Sequence, residues 1–437
     1  MNTSRISEFR DPIHGFIDVY PHERQIIDTP EFQRLRRIHQ LGLTNYVYHG
    51  AEHTRFGHAM GVMHIAGKAV DTLITRNIDL IRSTLTWSSE ESEGEKYRLV
   101  LLARLAGLLH DIGHAPFSHT GEDRLFPEGN SHEGHGAEII RNGEIGNIID
   151  SDPICKNNGI SRNDVADLVV GEATLPAGFV QELISSPWDV DKMDYLLRDS
   201  FYCGVQYGTF DVARILNTLT LDEEAETGSL KLAIDEGGIH ALEAFVLARY
   251  YMFTQIYFHD VRRAYDLVLT DFIAELLQSD NGSGRYPGTD DIEGYLKWDD
   301  SRVLFEANNL SRKDDKNLAW RVINRQHPKA IFETGDSPDI GEARKIERDL
   351  LNEARISFPD LRFWLDKAVD QPNKFRQAEM MVKFPGNPPV WREFRKLSKP
   401  LEGLEEIGKY RLYADVRGDD AEEERVRNFC RSTMAYA

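Results

Sequence analysis

The sequence predicts a mainly α protein, in which a helical core carries small β-hairpins and is followed by a smaller α+β C-terminal region. Three observations favour this fold class. Apolar residues recur at helical spacing through most of the first 280 residues. Short β-type runs bounded by turn residues occur at only a few places. The run Asp280-Asn281-Gly282-Ser283-Gly284 then breaks the pattern, and helical and strand patterns mix after it.

The first part of the chain is predicted to contain two short strands, a series of helices and one small hairpin. Two short strands are predicted at 6–9 and 16–19, around the turn residues Asp11-Pro12. From Pro30 the pattern becomes helical, with apolar residues at Phe32, Leu35, Ile38 and Leu41. Further helices are predicted at 54–81, 98–111, 132–142, 161–171, 188–203, 209–217 and 238–278. A small hairpin is predicted from residues 216–221 and 230–234.

The second part has a different texture. Helices are predicted at 299–307, 311–322 and 342–353, and strands near 328–333, 378–384 and 409–416. We therefore predict two domains, residues 1–280 and residues 281–437. The second is expected to serve in oligomerisation or regulation.

Composition narrows the class of protein. The 437 residues are 41% hydrophobic and 28% charged, as is usual for a soluble globular protein. A net charge of -20 argues against a general nucleic-acid binder, but a cation in a cleft could still attract a small phosphorylated substrate. Neither a signal peptide nor a membrane span is apparent, and three scattered cysteines fit a reducing compartment. A cytoplasmic location is expected.

Four residues could form a metal centre. His110-Asp111 ends the apolar run RLAGLLHD, which Gly113 then breaks, so the pair is predicted at a helix C-terminus. With His58 upstream and Asp191 downstream, the set offers two imidazoles and two carboxylates to one divalent cation. These four ligands accept Mg, Mn, Fe, Ni, Co or Zn, so the sequence does not identify the metal ion. A lone histidine in an apolar helix is more often a core residue.

A series of motifs carries a family resemblance, in the order DPIHG, IIDTPEFQRLRRIHQLG, TRFGHAMGV, LLHDIGHAPFSH and WDVDKMDYLLRDS. Over about residues 5–275 the chain resembles the HD-domain superfamily. More narrowly it is similar to the deoxynucleoside triphosphate triphosphohydrolases of the sterile-alpha-motif-and-HD type and their bacterial relatives. The resemblance implies an HD-domain helical core at 1–280. It also implies that water converts a dNTP to a deoxynucleoside and triphosphate, with His58, His110, Asp111 and Asp191 as metal ligands.

The resemblance also implies catalytic roles. His119 and His132 are expected to be general acids for the leaving 5′-oxygen. Glu122 stands where the family commonly has Asp, and its carboxylate could orient an imidazole. His114 is expected to be catalytic or to contact phosphate. His135 matches no family position and is expected on a helix surface.

Substrate contacts follow from the same resemblance. Arg55 and Lys192 match positions that contact the triphosphate, and Asp199 matches one that bonds the sugar 3′-hydroxyl. Tyr195 is expected near the sugar or phosphates, and Gln40 and Leu41 match positions at the sugar edge. Tyr265 matches a tyrosine that crowds the 2′ side, or it is a core aromatic of a long helix. The segment 254–260 departs from the family pattern, with Tyr257 and His259 in it.

A regulatory nucleotide site is implied at Asp28, Gln33 and Arg36. An Asp and an Arg together can read guanine edges, so GTP or dGTP is the expected activator. The same residues could instead cap and solvate the helix that follows Thr29-Pro30. Ser7 and Arg10 replace a Lys and an Asn of the family's site. A homo-oligomer, dimer or tetramer, is also expected, with no membrane partner and no nucleic-acid partner.

Other functions stay open on the sequence alone. The chain could be an HD phosphohydrolase acting on another nucleotide or phosphoester. It could also be a nucleotide sensor with little turnover, or a nuclease with a local basic groove. A panel of substrates with product identification separates these hypotheses.

Overall fold

The computed structural model describes residues 6–173, 178–224, 228–314, 317–335, 343, 345–370, 380–402, 404, 407–416 and 418–435. Its α-helices are Pro21–Ile27, Pro30–Gln33, Arg55–Arg76, Ile78–Leu85, Ser89–Leu109, Glu122–Leu125, His132–Asn142, Glu144–Ser151, Pro153–Asn157, Arg162–Val170, Phe179–Ile184, Val190–Cys203, Val212–Thr218, Ile239–Met252, Asp260–Asn281, Ile292–Leu296, Asp300–Ser311, Leu318–Ile323, Leu351–Ser357, Phe394–Leu397, Lys399–Glu402 and Asp420–Ala435. Tighter 3-10 turns are Arg34–Arg37, Gly42–Tyr46 and Glu236–Gly238, and wider π-turns are Phe253–Tyr257 and Ile346–Leu350. The predicted mainly α fold is confirmed.

The strands are β1 (Ser7–Asp11), β2 (Gly15–Val19), β3 (Leu219–Glu223), β4 (Leu230–Asp235), β5 (Lys329–Glu333), β6 (Phe363–Asp370), β7 (Met381–Phe384), β8 (Val390–Glu393) and β9 (Ile407–Ala414). They form a β1-β2 hairpin, a sheet of order β3-β4-β7-β8 and a sheet of order β5-β9-β6. Only the β4–β7 pair among these is parallel. Because β7 and β8 extend the β3-β4 hairpin, strands from late in the chain complete a sheet that begins much earlier in it.

Two long helices, Arg55–Arg76 and Ser89–Leu109, form the centre of the main core. Glycines allow them to approach closely: a Cβ on Gly107 would lie 3.1 Å from the carbonyl oxygen of Val62. His58 lies in the first helix, and His110 caps the end of the second. The close crossing therefore brings the two histidines together.

Gly61 provides a test of how tightly this region packs. A Cβ there would collide with the Asp194 carboxylate and lie 2.6 Å from Arg198 Nη2. We expect Gly61→Ala to lower the free energy of unfolding by roughly 1–3 kcal/mol, measured by denaturant titration. Gly94 lies inside the Ser89–Leu109 helix with nothing near its Cβ position, so Gly94→Ala should stabilise by about 0.5–1 kcal/mol. Equal effects at both positions would contradict this packing.

Several predicted elements differ from the structure. The helix predicted at 98–111 begins at Ser89, because Ser88 and Glu91 form a capping box at its start. The long helix predicted at 238–278 is interrupted by the π-turn Phe253–Tyr257. β6, β8 and the helix Asp420–Ala435 were not predicted. Parts of the helices predicted at 311–322 and 342–353, and of the strand predicted near 378–384, lie outside the described residues.

A second core crosses the break at residue 280. Phe272 of the Asp260–Asn281 helix packs in one cluster with Tyr286, Tyr295 and Trp298. Asp271 of the same helix accepts hydrogen bonds from Arg362 Nη2 at 2.5 Å and Trp364 Nε1 at 2.7 Å, which attaches β6. The domain boundary at residue 280 stays a prediction, and these contacts join residues on both sides of it.

Candidate metal centre and active site

Four predicted ligands converge at the end of the two central helices. His58 Nε2 lies 2.9 Å from Asp191 Oδ1 and 3.3 Å from His110 Nε2. The Asp111 carboxylate lies 3.4 Å from His58 Nε2 and 3.3 Å from His110 Nε2. Asp191 reaches the centre from the first turn of Val190–Cys203, a helix capped by the side chain of Asp189. One point is thus surrounded by two imidazole nitrogens and two carboxylates.

Both imidazoles are oriented by their other nitrogen. His58 Nδ1 lies 2.8 Å from Asp194 Oδ2, and His110 Nδ1 lies 2.8 Å from the carbonyl oxygen of Gly107. These acceptors hold a proton on each Nδ1, so each Nε2 faces the centre, where a cation can take the place of a second proton. This is the tautomer that a cation requires.

Asp194 is itself held by three contacts from two residues. Arg198 donates to it with Nε at 2.8 Å and Nη2 at 2.9 Å, and His14 Nε2 lies 2.6 Å from Oδ1. The sequence reading missed Asp194 and His14. The signals were present in the spacing Asp191-x-x-Asp194 and in the DPIHG motif, but nothing in the sequence joins residues so far apart in the chain.

The electrostatics of the centre favour a cation. Burial raises the pKa of Asp191, but His110 and His58 outweigh it and hold the pKa well below its usual range. Burial likewise raises the pKa of Asp111, and Arg55 and neighbouring histidines reverse the effect. Burial lowers the pKa of His58, yet Asp191 and Asp194 raise it to about 10. The carboxylates therefore stabilise a positive charge at the His58 ring, and the same charges favour a cation bound between them.

The donor set fits a divalent ion. Two neutral imidazoles and two carboxylates suit several first-row metals and Mg²⁺, and they do not select one. His58, His110 and Asp191 also place their ligand atoms within 4.8 Å of one another. When bound, the ion would polarise a phosphoryl oxygen and favour deprotonation of a nearby water.

A second cluster of titratable groups lies beside the centre. The Glu122 carboxylate lies between two imidazoles: His119 Nδ1 is 2.8 Å from one oxygen, and His132 Nδ1 makes a short contact with the other. His114 stacks on His132 with ring centroids 3.9 Å apart, and its Nε2 lies 3.1 Å from Asp111 Oδ1. His114 therefore connects this cluster to the metal centre.

The pKa shifts in the cluster differ in sign. Burial lowers the pKa of His132, but the hydrogen bond and charge of Glu122 outweigh it and raise the pKa. His119 and His132 together lower the pKa of Glu122 against the effect of burial. Burial and then Arg55 lower the pKa of His114 well below its ordinary value. At neutral pH the cluster thus combines a carboxylate, a protonatable His132 and a neutral His114.

The loop that carries His114 and His119 is strained. Phe117 and Ser118 both adopt the left-handed region, with φ of 59° and 60°. Neighbours hold them there: Asp300 Oδ1 accepts from the Phe117 amide at 2.7 Å, and Ser118 Oγ donates to the His39 carbonyl at 2.6 Å. Such strain costs roughly 1–3 kcal/mol per residue and persists only where surrounding contacts impose it.

The two predicted phosphate-contacting cations both have protein partners. Arg55 is buried, and it donates to Oδ2 of the ligand Asp111 at 2.5 Å and to Ser118 Oγ at 2.9 Å. Lys192 follows Asp191 in the helix, and its Nζ donates to Asp189 Oδ2 at 2.5 Å. Arg55 is therefore fixed beside a ligand, whereas Lys192 is held at the start of the helix that carries Asp191.

A separate group surrounds Asp199. His53 Nε2 lies 2.7 Å from one Asp199 oxygen, and the Tyr257 hydroxyl donates to the other at 2.6 Å. Tyr195 packs edge-on against Tyr257 with centroids 6.3 Å apart. Gln40 is joined to the same group through its backbone, since its backbone N–H donates to the carbonyl of His53 at 3.0 Å. The neighbouring Leu41 is largely buried.

The tyrosine chosen from the sequence is not in this group. Tyr265 is 1% exposed and lies in the second core, edge-on to Tyr46 and His327. This placement agrees with the core-aromatic alternative, and the role of Tyr265 at the sugar stays a prediction. The expected surface position of His135 is corrected: the residue is buried, and its ring nitrogens lie 3.0 Å from the carbonyl oxygens of Ser131 and Pro287.

The three predicted regulatory positions share one surface. Gln33 Nε2 donates to the Ile27 carbonyl at 2.7 Å, and its Oε1 accepts from Arg36 Nε at 2.9 Å. Arg36 also lies 3.5 Å above the Phe56 ring. Asp28 is exposed beside Arg24, and the helix that follows is capped by Thr29. The role of this surface stays a prediction.

Known proteins match the chain over most of its length. Residues 55–170 match the HD domain, and residues 210–357 match the HD associated region. The uncharacterized protein YwfO of Bacillus subtilis is 35% identical over 395 residues, 86% of this chain and 83% of that protein. The human deoxynucleoside triphosphate triphosphohydrolase SAMHD1 is 29% identical over 391 residues, which is 80% of this chain but 58% of that protein.

A solved structure gives the same result for the fold. A hypothetical protein from Aquifex aeolicus superimposes with a TM-score of 0.71 at 28% identity, covering 98% of this chain and 100% of that one. Among the described residues, no helix has the length and apolar character needed to cross a membrane. By these matches, the chain belongs to the HD-domain family of metal-dependent phosphohydrolases, among the relatives of the deoxynucleoside triphosphate triphosphohydrolases.

Proposed function

We propose that this protein is a deoxynucleoside triphosphate triphosphohydrolase, which converts a dNTP and water to a deoxynucleoside and inorganic triphosphate. One observation carries the proposal. Arg55 contacts the ligand Asp111, and the helix that carries the ligand Asp191 also carries Lys192 and Asp199. Asp199 in turn forms a buried pair with Tyr257. Such a site offers contacts for phosphates and for a sugar hydroxyl. Relatives named for this reaction support the choice of substrate.

Each side chain then has a task. Arg55 and Lys192 donate to the triphosphate oxygens and neutralise charge that develops on them. Asp199 accepts from the sugar 3′-hydroxyl, while Tyr257 fills the space beside the sugar. Glu122 keeps a proton on His132 or His119, which passes to the departing 5′-oxygen. His58, His110, Asp111 and Asp191 are the residues that would hold the divalent ion.

A regulatory site and an oligomeric state are part of the same proposal. Asp28, Gln33 and Arg36 are proposed to bind a guanine nucleotide, GTP or dGTP, as activator. The protein is proposed to act as a homo-oligomer, and its cytoplasmic location stays a prediction. Support for the regulatory surface is the exposed carboxylate of Asp28 and the Arg36 guanidinium that Gln33 holds in place.

The identity of the products tests the reaction. With Mn²⁺ or Mg²⁺ we expect each accepted dNTP to yield deoxynucleoside and intact triphosphate in equal amounts, because attack at the α-phosphorus leaves the β,γ bonds unbroken. Chromatography with phosphorus NMR measures both products, across four dNTPs and four NTPs, with and without GTP or dGTP. Pyrophosphate or single phosphates as the only products would assign the site to a different phosphoester. Tight dNTP binding without turnover in several metals would indicate a sensor.

A further inference from the structure

The β1-β2 turn has no task in the proposed chemistry, although DPIHG was among the motifs that defined the resemblance. Asp11 Oδ1 accepts from the amides of Ile13 at 2.8 Å and His14 at 2.9 Å, which closes the turn. The closed turn directs the His14 ring inward, where its side chain is only 8% exposed. The ring reaches Asp194 and stacks obliquely on His64.

The turn contacts both members of one buried ion pair. His14 Nε2 lies 2.6 Å from Asp194 Oδ1, and Asp11 Oδ2 accepts from Arg198 Nη1 at 3.0 Å. Asp194 and Arg198 are 0% and 1% exposed at their side chains, and they form a two-point ion pair with each other. The remaining Asp194 oxygen faces His58 Nδ1 at 2.8 Å. A continuous chain of contacts therefore runs from the hairpin to a metal ligand.

The element of the fold that supplies each contact determines which contact fixes the position of the His58 ring. Arg198 is on the same helix as Asp194, one turn further on, so the pair can only move together with that helix. His58 is on the Arg55–Arg76 helix. Asp11 and His14 come from a third element, the β1-β2 turn, and each contacts one member of the pair. The hairpin thus restricts the motion of the Asp194 side chain that its own helix still allows.

We propose that His14 is a positioning residue that sets the affinity of the centre for its divalent cation, acting through Asp194 on the ring of His58. The inference rests on the metal site of the proposed function. Groups that orient a metal-binding imidazole typically change metal affinity by about 10- to 100-fold. A purely structural role would hold the hairpin against the core and leave the affinity of the folded protein unchanged.

The test measures cation binding rather than turnover. Metal-free full-length protein is titrated with Mn²⁺ alone, with calorimetry or electron paramagnetic resonance as readout. His14→Phe keeps the ring and removes the donor, while His14→Asn keeps polarity but is too short to reach Asp194. His14→Gln retains an N–H at similar reach. Glu8→Ala is the matched control, because Glu8 lies in the same hairpin and is exposed.

We expect His14→Phe and His14→Asn to weaken Mn²⁺ binding by about 10-fold or more, His14→Gln to weaken it less, and Glu8→Ala to bind like the parent. The inference is overturned if Phe and Asn variants that remain folded bind Mn²⁺ as tightly as the parent, or if Glu8→Ala weakens binding equally. A His58→Gln variant separates failure of the metal site from failure of the role proposed for His14. Parental affinity in that variant would refute the metal site itself, whereas weak binding there with strong binding in His14→Phe refutes only the role of His14.

Discussion

Replacing Asp111 with asparagine is expected to reduce dNTP hydrolysis on the order of 10³-fold or more. The substitution keeps the shape of the side chain but removes a charge that contacts both imidazole nitrogens and Arg55. Without it, the centre loses a ligand and Arg55 loses its buried counter-charge. Losses of this size follow when a group that acts on the transition state is removed. Steady-state rates and the metal content of the purified protein measure the effect.

A matched substitution controls for general damage. Asp79→Asn changes an exposed aspartate on the Ile78–Leu85 helix and should leave the rate unaltered. Circular dichroism should show that both variants are folded. Turnover of Asp111→Asn near the parental rate would exclude the assigned centre.

Replacing Glu122 with glutamine is expected to move the basic limb of the pH–rate profile to lower pH. Glu122 raises the pKa of His132, so the protonated acid persists to higher pH while the carboxylate is present. Glutamine removes that charge, the pKa of His132 falls, and the proton is lost earlier as pH rises. At the alkaline end we expect kcat to fall by roughly 10²-fold or more, the contribution of a general acid. The profile is recorded between about pH 5 and pH 9 at saturating metal.

Single histidine variants show which ring donates. His132→Gln should abolish the basic limb and lower kcat by roughly 10²–10⁴-fold if His132 is the acid, while His119→Gln tests the second ring of the pair. His240→Gln is the control, because His240 is 95% exposed at its side chain and lies outside the cluster. An unshifted basic limb in Glu122→Gln would contradict the assigned role of the carboxylate.

The metal set could be predicted from the sequence because chemistry restricts it. Few residue types bind divalent cations, and His58, His110-Asp111 and Asp191 stand inside recognisable motifs. The positions of the helices that carry them follow from apolar periodicity, which agrees with the structure from Arg55 to Arg76 and from Val190 to Cys203. Their roles, unlike their positions, stay predictions.

The surrounding groups could not be predicted in the same way. Asp194, His14 and His53 act through contacts between segments that are distant in the chain, and no local pattern records such contacts. The contact of Tyr257 with Asp199 was not predicted, because Tyr257 lies in a π-turn and regular helical spacing cannot show such a turn. Late strands such as β6 and β8 depend on pairing partners, so their short runs carried little signal.

Asp300 has a consequence for anyone who would shorten this protein. Its carboxylate accepts from the Phe117 amide and, at 2.8 Å, from the His39 amide, although it lies beyond the predicted end of the first domain. A chain truncated at residue 280 would keep all four metal ligands and lose the acceptor that holds the left-handed Phe117 and Ser118. The loop would then relax toward ordinary backbone angles and carry His114 and His119 away. The same truncation would remove Tyr286, Tyr295 and Trp298 from the second core, so its inactivity would say nothing about the ligands.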